Sequence, residues 1–403
     1  MRAYSASSEE TLRARRLLKD WMGEGFLTKE QYQRLEREAV SDLRTTNIFL
    51  RLVLFFFTMI GVGAAVGLFY TVFLSHPSDQ TIGVCLLIFA AVSYAAAEFA
   101  ASQARLYHYG IEEALAVCSV AFLCVGIELA FLAGHYFPRP DLPQSMVPAI
   151  GAAFSLWIWR RFGLWYAFPA AMICSLFLPG LWTESLAMQH VIVGVFYATG
   201  LVCVAAVRSR RRFDYLDDAY SLAEAFLWLG IYLAINLQLS SLNLLTRWWW
   251  ARGIHAASEF PRPFYWTTWV LVWCLPPLVL VRGIRQKDRF VIQVGAIAAV
   301  LTFVSNKPYL GWPRHTWDPM LLGILLTGVA LFIRRWLARG PGEVRHGFTA
   351  GRLSGKDKQW MNAGSALLGL VTPPSITPAP QTRIEEFRFG GGATGGGGAG
   401  GEF

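Results

Sequence analysis

Long apolar stretches alternate with short polar turns from residue 48 to about residue 338. Each stretch approaches the roughly 20 helical residues needed to cross some 30 Å of hydrocarbon. In lipid every backbone N–H and C=O must be paired within the protein, so segments of this length and polarity can span only as helices. The pattern predicts an all-α fold, a polytopic helical transmembrane bundle of about ten spans. The expected spans are 48–74, 81–101, 112–135, 145–159, 164–181, 186–207, 219–245, 264–281, 290–306 and 319–337. The fourth and fifth are short and separated only by Arg160-Arg161-Phe162-Gly163, which leaves two true spans and a re-entrant pair both open.

Outside that block the pattern changes twice. Residues 1–47 are polar with helical periodicity, marked by Leu12, Leu17, Leu18 and Trp21, then Tyr32, Leu35 and Leu43. Ser7-Ser8-Glu9-Glu10 and Thr28-Lys29-Glu30-Gln31 read as capping boxes, in which a hydroxyl accepts from an orphan N–H and the side chain three residues on reaches back. Gly23 and Gly25 between them predict a cytoplasmic helical hairpin. A unit this small has little core, so it is expected to pack on the membrane domain or on a protein partner. Residues 339–403 form the third region, with a Pro-rich run from Pro373 to Pro380 and a glycine-rich end from Gly390. Such a tail cannot bury enough apolar surface to offset the entropy of ordering it, and disorder is expected from about Gly340. No apolar h-region followed by a small-residue cleavage site precedes the first span, so no cleaved signal peptide is expected.

Composition sharpens the membrane assignment. Charged residues are 16% of the chain and hydrophobic residues 54%, where an average soluble domain carries about 25% charged residues. The net charge of +9 does not imply nucleic acid, because the Lys and Arg residues sit in short loops and at the two ends, the distribution that orients helices in a bilayer. With the N-terminus inside, internal loops carry Arg105, Arg160, Arg161, Arg208, Arg210, Arg211, Arg212, Arg282, Arg285, Lys287 and Arg289. External loops carry Arg139, Arg247, Arg252, Arg262, Lys307 and Arg314. That bias predicts both termini in the cytoplasm and an even number of spans. Tryptophans 248, 249, 250, 266, 269, 312 and 317 gather at the expected outer interface, the level indole rings prefer. The six cysteines lie in apolar segments with no CxxC pair or Cys/His cluster, and read as small core hydrophobes rather than metal ligands.

The N-terminal pattern Leu17, Leu18, Trp21, Gly25, Leu27, Thr28, Glu30, Gln31, Leu35 followed by serial spans resembles the bacterial family known as domain of unknown function 2157. The resemblance is clearest over the first 60 or so residues. It implies a bacterial inner-membrane protein with a cytoplasmic N-terminal hairpin and says little about activity. The tail from Gly390 to Phe403 is similar to the glycine-rich ends, closing on an aromatic residue, of several bacterial membrane proteins.

Ionisable and polar side chains within the spans are the candidate chemistry, since an unpaired charge in hydrocarbon costs several kcal/mol. Glu128, flanked by Gly126, Ile127, Leu129 and Ala130, reads as the deepest carboxylate. With Asn236, Gln238 and His190 it forms the expected interior polar site. Glu98 and Glu224, nearer the helix ends, read as structural; Gln189 and Asn243 read as interhelical glue. Pro276-Pro277 removes two donors and predicts a bend or a break in the eighth span, and Pro169 and Pro179 do the same in the fifth. Arg247, Arg252, Arg262, Arg314 and His315 with Trp249 and Trp266 form a candidate external lipid-phosphate site, since Arg offers phosphate a bidentate fork. An interfacial belt would use the same residue types.

No Walker A, HExxH or GxSxG sequence occurs, which argues against ATP-driven transport and the common hydrolases. No cofactor is expected, and membrane lipids are the expected surroundings. The expected role is non-enzymatic, transport or handling of a small or lipid-linked solute. Two alternatives are a scaffold recruiting partners through the hairpin and tail, and a membrane-embedded transferase acting on a polyprenyl-phosphate lipid.

Overall fold

The computed structural model describes residues 3–23, 25–74, 77–132, 141–183, 185–210, 217–239, 260–312, 315, 317–340, 344–345 and 348–349. Among these, the N-terminal hairpin comprises α1 (Ala6–Gly23) and α2 (Lys29–Glu38). Ten further helices follow: α3 (Ile48–Phe73), α4 (Asp79–Ser102), α5 (Ile111–Ile127, continued by a π turn Glu128–Leu132), α6 (Asp141–Phe162), α7 (Ala167–Trp182), α8 (Leu186–Arg210), α9 (Asp217–Ile235), α10 (Arg262–Gln286), α11 (Arg289–Tyr309) and α12 (Asp318–Ala338). Each expected span thus has its helix. Seven are long and apolar enough to cross a membrane: α3, α4, α5 with its π turn, α8, α10, α11 and α12. The helix α7 has 16 residues, α9 has 19, and α6 carries Pro148 and closes on Arg160-Arg161. The weak fourth and fifth segments are two separate helices, α6 and α7, joined by a turn that uses Gly163 at φ 72°.

Local chemistry sets the helix ends. Asn47 Oδ1 accepts the N–H of Leu50 at 2.8 Å to start α3, and Ser78 Oγ accepts that of Thr81 to start α4, each satisfying a donor with no intrahelical acceptor. The Thr28/Gln31 capping box of α2 is formed in both directions. The box expected at Ser7-Ser8 is not the start of α1. Ser5 stands one turn earlier, and its hydroxyl takes the N–H of Ser8 at 3.2 Å.

Consecutive helices pair as α4–α5, α6–α7, α8–α9 and α10–α11, with α3 against α5 and α9 against both α10 and α11. Without a hydrophobic drive between helices in lipid, close backbone approach and polar bonds hold such a bundle. Gly83 of α4 shows the first device, since a Cβ there would collide with the backbone of Leu129 and Ala130 in the π turn. One core cluster joins Phe168, Val193, Tyr197, Trp228, Ile231, Val279 and Val291, from α7 through α11.

The turns after α4, α6 and α10 lie at one end of the bundle, together with the chain's N-terminal segment; this is the hairpin end. Ala3 N–H donates to Arg161 O at 2.8 Å, Arg44 N–H to Arg105 O at 2.8 Å, and Tyr4 is buried among Ala97, Ala101, Ile158, Phe162 and Leu164. The hairpin falls in the same compact unit as the helices up to Trp336. By contrast, α12 buries no residue and α3 only Val66.

Residues Leu337–Phe403 form a second unit. The tail expected to be disordered from Gly340 contains an antiparallel strand pair, Val344–Arg345 with Phe348–Thr349. Val, Phe and Thr favour extended backbone, which the bulk composition of the tail conceals. The Pro-rich run and glycine-rich end lie outside the described residues.

Candidate functional site

At the end opposite the hairpin, α9 stops at Ile235 and its last carbonyls need partners. His190 of α8 sits 2.6 Å from Ala234 O through Nδ1, and Tyr309 of α11 donates to Ile235 O while accepting the N–H of Leu237 at 2.6 Å. Asn236 is fully buried and donates through Nδ2 to Tyr232 Oη at 3.0 Å and Ser305 Oγ at 2.8 Å. Tyr232 pairs with Thr302, and Gln238 Nε2 reaches Tyr265 Oη at 3.3 Å. Trp269 and Trp273 both donate indole N–H to Asn306 Oδ1. The result is a neutral cluster drawn from α8, α9, α10 and α11, in which most buried polar atoms are satisfied, as low dielectric demands.

Two acceptors in it are not. A backbone carbonyl can only accept, so His190 Nδ1 carries the proton and Nε2 is a bare lone pair, buried without a partner. Gln189 Oε1, next in the chain, is likewise buried and without a partner, although its Nε2 donates to Thr183 O.

Asn236, Gln238 and His190 are thus brought to one place, and Glu128 is not. Glu128 is exposed, in the π turn that packs on α4 and α6. It stands 17 residues along the helix from Ile111, about 26 Å at ~1.5 Å per residue, and so near the end of the span rather than deep within it. Its apolar neighbours describe the hydropathy of the segment, not depth.

At Pro276-Pro277 the chain stays helical, since α10 runs from Arg262 to Gln286 with both prolines inside it. Pro276 offers no N–H to the carbonyl of Val272, and Thr302 Oγ lies 3.1 Å from that carbonyl and 2.9 Å from Ala298 O, so its one proton is shared between the freed carbonyl and its own helix. In α7, Pro169 lies in the first turn, where its missing N–H breaks no bond, and Pro179 lies in the last. Of the external cluster, Arg247, Trp249, Arg252 and Arg314 lie outside the described residues, as does Asn243. Arg262 and Trp266 are exposed on the first turns of α10. His315 is exposed and stacks on Trp317 at 5.6 Å, beside Lys307, which pairs with Asp318.

The hairpin end is ionic. Glu224 of α9 is fully buried between Arg208 of α8 at 2.9 Å and Arg282 of α10 at 2.6 Å. Arg208 also contacts Asp288 at 2.7 Å, whose Oδ2 accepts from Ser221 Oγ at 2.6 Å. Burial alone would raise the Asp288 pKa, but the Ser221 hydroxyl, Arg208 and the Val291 N–H outweigh it and hold it below the ordinary carboxylate range. A second network ties Arg51 of α3 to Glu113 of α5, with His108 Nδ1 2.8 Å from the same carboxylate. Glu98 pairs with Arg161. The structural roles expected for Glu98 and Glu224 match these pairings. Burial pushes the Tyr4 phenol well up, with Glu112, Tyr107, Glu113 and Glu9 adding to it.

Comparisons with protein-family models, with curated proteins and with solved structures find no match to this chain. The residues missed by sequence reasoning are Arg51, His108, Glu112, Glu113 and Asp288. A signal for two of them existed: Glu112 and Glu113 follow Gly110 in the first turn of a span, where the helix dipole favours carboxylates. Nothing local announces Arg51, whose partner lies 62 positions away.

Proposed function

We propose that this chain is a ten-span protein of the bacterial inner membrane, with cytoplasmic termini, related to the 2157 family, that handles a small or lipid-linked solute. The seven apolar helices are compatible with an integral membrane protein. What supports solute handling is His190, a buried imidazole with a bare Nε2 at the bundle end where Arg262 and Trp266 are exposed; Gln189, the preceding residue, carries a second buried acceptor without a partner. Two acceptors of this kind suit a ligand that brings hydroxyl or amide donors, and the exposed arginine and indole suit a headgroup.

The test uses the purified full-length protein in nanodiscs, with a polyprenyl monophosphate and a panel of small polyols as probes. A saturable rise in melting temperature that His190→Ala loses and Glu128→Gln retains is the expected result. No rise with either probe class overturns the reading.

One observation favours a scaffold as the second reading. Leu17, Trp21 and Phe26 of the hairpin are 50%, 46% and 74% exposed, an apolar set at the bundle end that carries the N-terminus. Deletion of residues 1–45 would then abolish partner capture while His190→Ala leaves it intact.

A further inference from the structure

One carboxylate at the hairpin end is not reached by the ion pairs around it. Glu112 and Glu113 are adjacent in the first turn of α5, and both are buried, at 0% and 3% exposure. Arg51 and His108 both bond to Glu113. Glu112 Oε1 accepts the N–H of Tyr109 at 2.7 Å, and Oε2 is buried with no hydrogen-bond partner. The Tyr166 hydroxyl is also buried without a hydrogen-bond partner, and Tyr166 and Tyr4 pack in one cluster with Leu115 and Ala116, on the turn of α5 that follows Glu112.

We propose that Glu112, with the phenols of Tyr4 and Tyr166, forms a binding site for a monovalent inorganic cation. The donors are oxygen throughout, which selects a hard ion over a soft one. A single uncompensated carboxylate matches one positive charge, whereas divalent sites recruit several. Tyr4 belongs to the N-terminal segment rather than to a span, and is held by the Ala3 N–H on Arg161 O and by edge-on contact with Tyr107 at 4.9 Å. The inference does not depend on the solute site, which lies at the other end of the bundle.

Thermal unfolding of the full-length protein in sodium, potassium, lithium or choline chloride, at matched ionic strength and fixed pH, tests the site. At least one inorganic cation is expected to raise the melting temperature saturably over choline. Glu112→Gln should lose that rise, and Tyr4→Phe, which keeps the ring packing, should shift its midpoint to higher salt. Equal melting in all four salts overturns the proposal, as does a rise that Glu112→Gln retains. If Glu112→Gln does not fold, Tyr4→Phe and Tyr166→Phe decide: unchanged midpoints in both overturn it. Stabilisation by acid alone, with no difference among the salts, shows that Glu112 carries a proton instead and also overturns it.

Discussion

The two ends of the bundle solve the same problem with opposite chemistry. At the hairpin end, helices are tied by charge: Glu224 to Arg208 and Arg282, Glu113 to Arg51, Glu98 to Arg161. At the other end they are tied by neutral groups, Asn236 to Tyr232 and Ser305, Tyr309 to the end of α9, Asn306 to two tryptophans. Glu224 is fully buried and Glu113 nearly so, while Arg208 and Arg282 remain 17% and 34% exposed; the Glu98–Arg161 pair is half-open on both sides. A long guanidinium can root in the bundle and keep its head near water, which a carboxylate on a two-carbon stem cannot do. Charge pairing is therefore affordable at a helix end rich in arginine. One lesson concerns orientation: Arg105, Arg161, Arg208 and Arg282, counted as topology signals, are engaged in ion pairs, so the bias rests more on Arg160, Arg210, Arg285 and Arg289.

The largest test of this contrast is Glu224→Ala. Removing one partner of a buried pair strands the others, at a cost of roughly 3–5 kcal/mol. We expect a marked loss of folded protein, read as the midpoint of denaturation by SDS in mixed micelles. Asn236→Ala at the opposite end removes three hydrogen bonds, of which the one to Ser305 crosses between helices and is worth about 0.6 to 2 kcal/mol. The same assay should show a smaller shift. If Asn236→Ala costs as much as Glu224→Ala, the distinction between ionic and neutral ends carries no energetic meaning.

That ranking could not be read from the chain alone. Helix positions were legible because apolar runs of this length permit little else, and ten runs became ten helices. The grouping of Asn236, Gln238 and His190 was legible because polar residues in spans must find one another. The ion pairs were not, since their partners are 58 to 63 positions apart for Arg282–Glu224, Arg161–Glu98 and Arg51–Glu113, and only packing sets which loop meets which. Pro276 is illegible for a related reason: its effect depends on Thr302, a residue on another helix whose one hydroxyl proton the freed carbonyl shares.

Acid should separate the ends with a smaller effect. The Asp288 carboxyl is held below its ordinary value in the folded protein, so its contribution is complete above the unfolded pKa of about 3.9 and is lost as pH falls through the lower folded value. Hydrogen exchange below about pH 4 should quicken first around Ser221 and Asp288, while the amides beside Asn236 keep their protection. Simultaneous loss at both ends would contradict the assignment of charge to one of them.

The smallest expected effect belongs to Glu128→Gln. Sequence alone makes this carboxylate the leading candidate for an interior functional acid, whose neutralisation should abolish pH-dependent activity while leaving folding intact. In the fold it is exposed on the π turn, in the last five residues of its span, and it shares no hydrogen bond with the Asn236 cluster. An exposed side chain near a helix end reaches headgroups and water, where charged and neutral forms differ little in cost. Surface substitutions of this kind fall within about 0.5 kcal/mol. The SDS midpoint should therefore match wild type. A shift approaching that of Asn236→Ala would place Glu128 against a second protein surface, and would move the neutral end's weakest contact to the opposite side of the bundle.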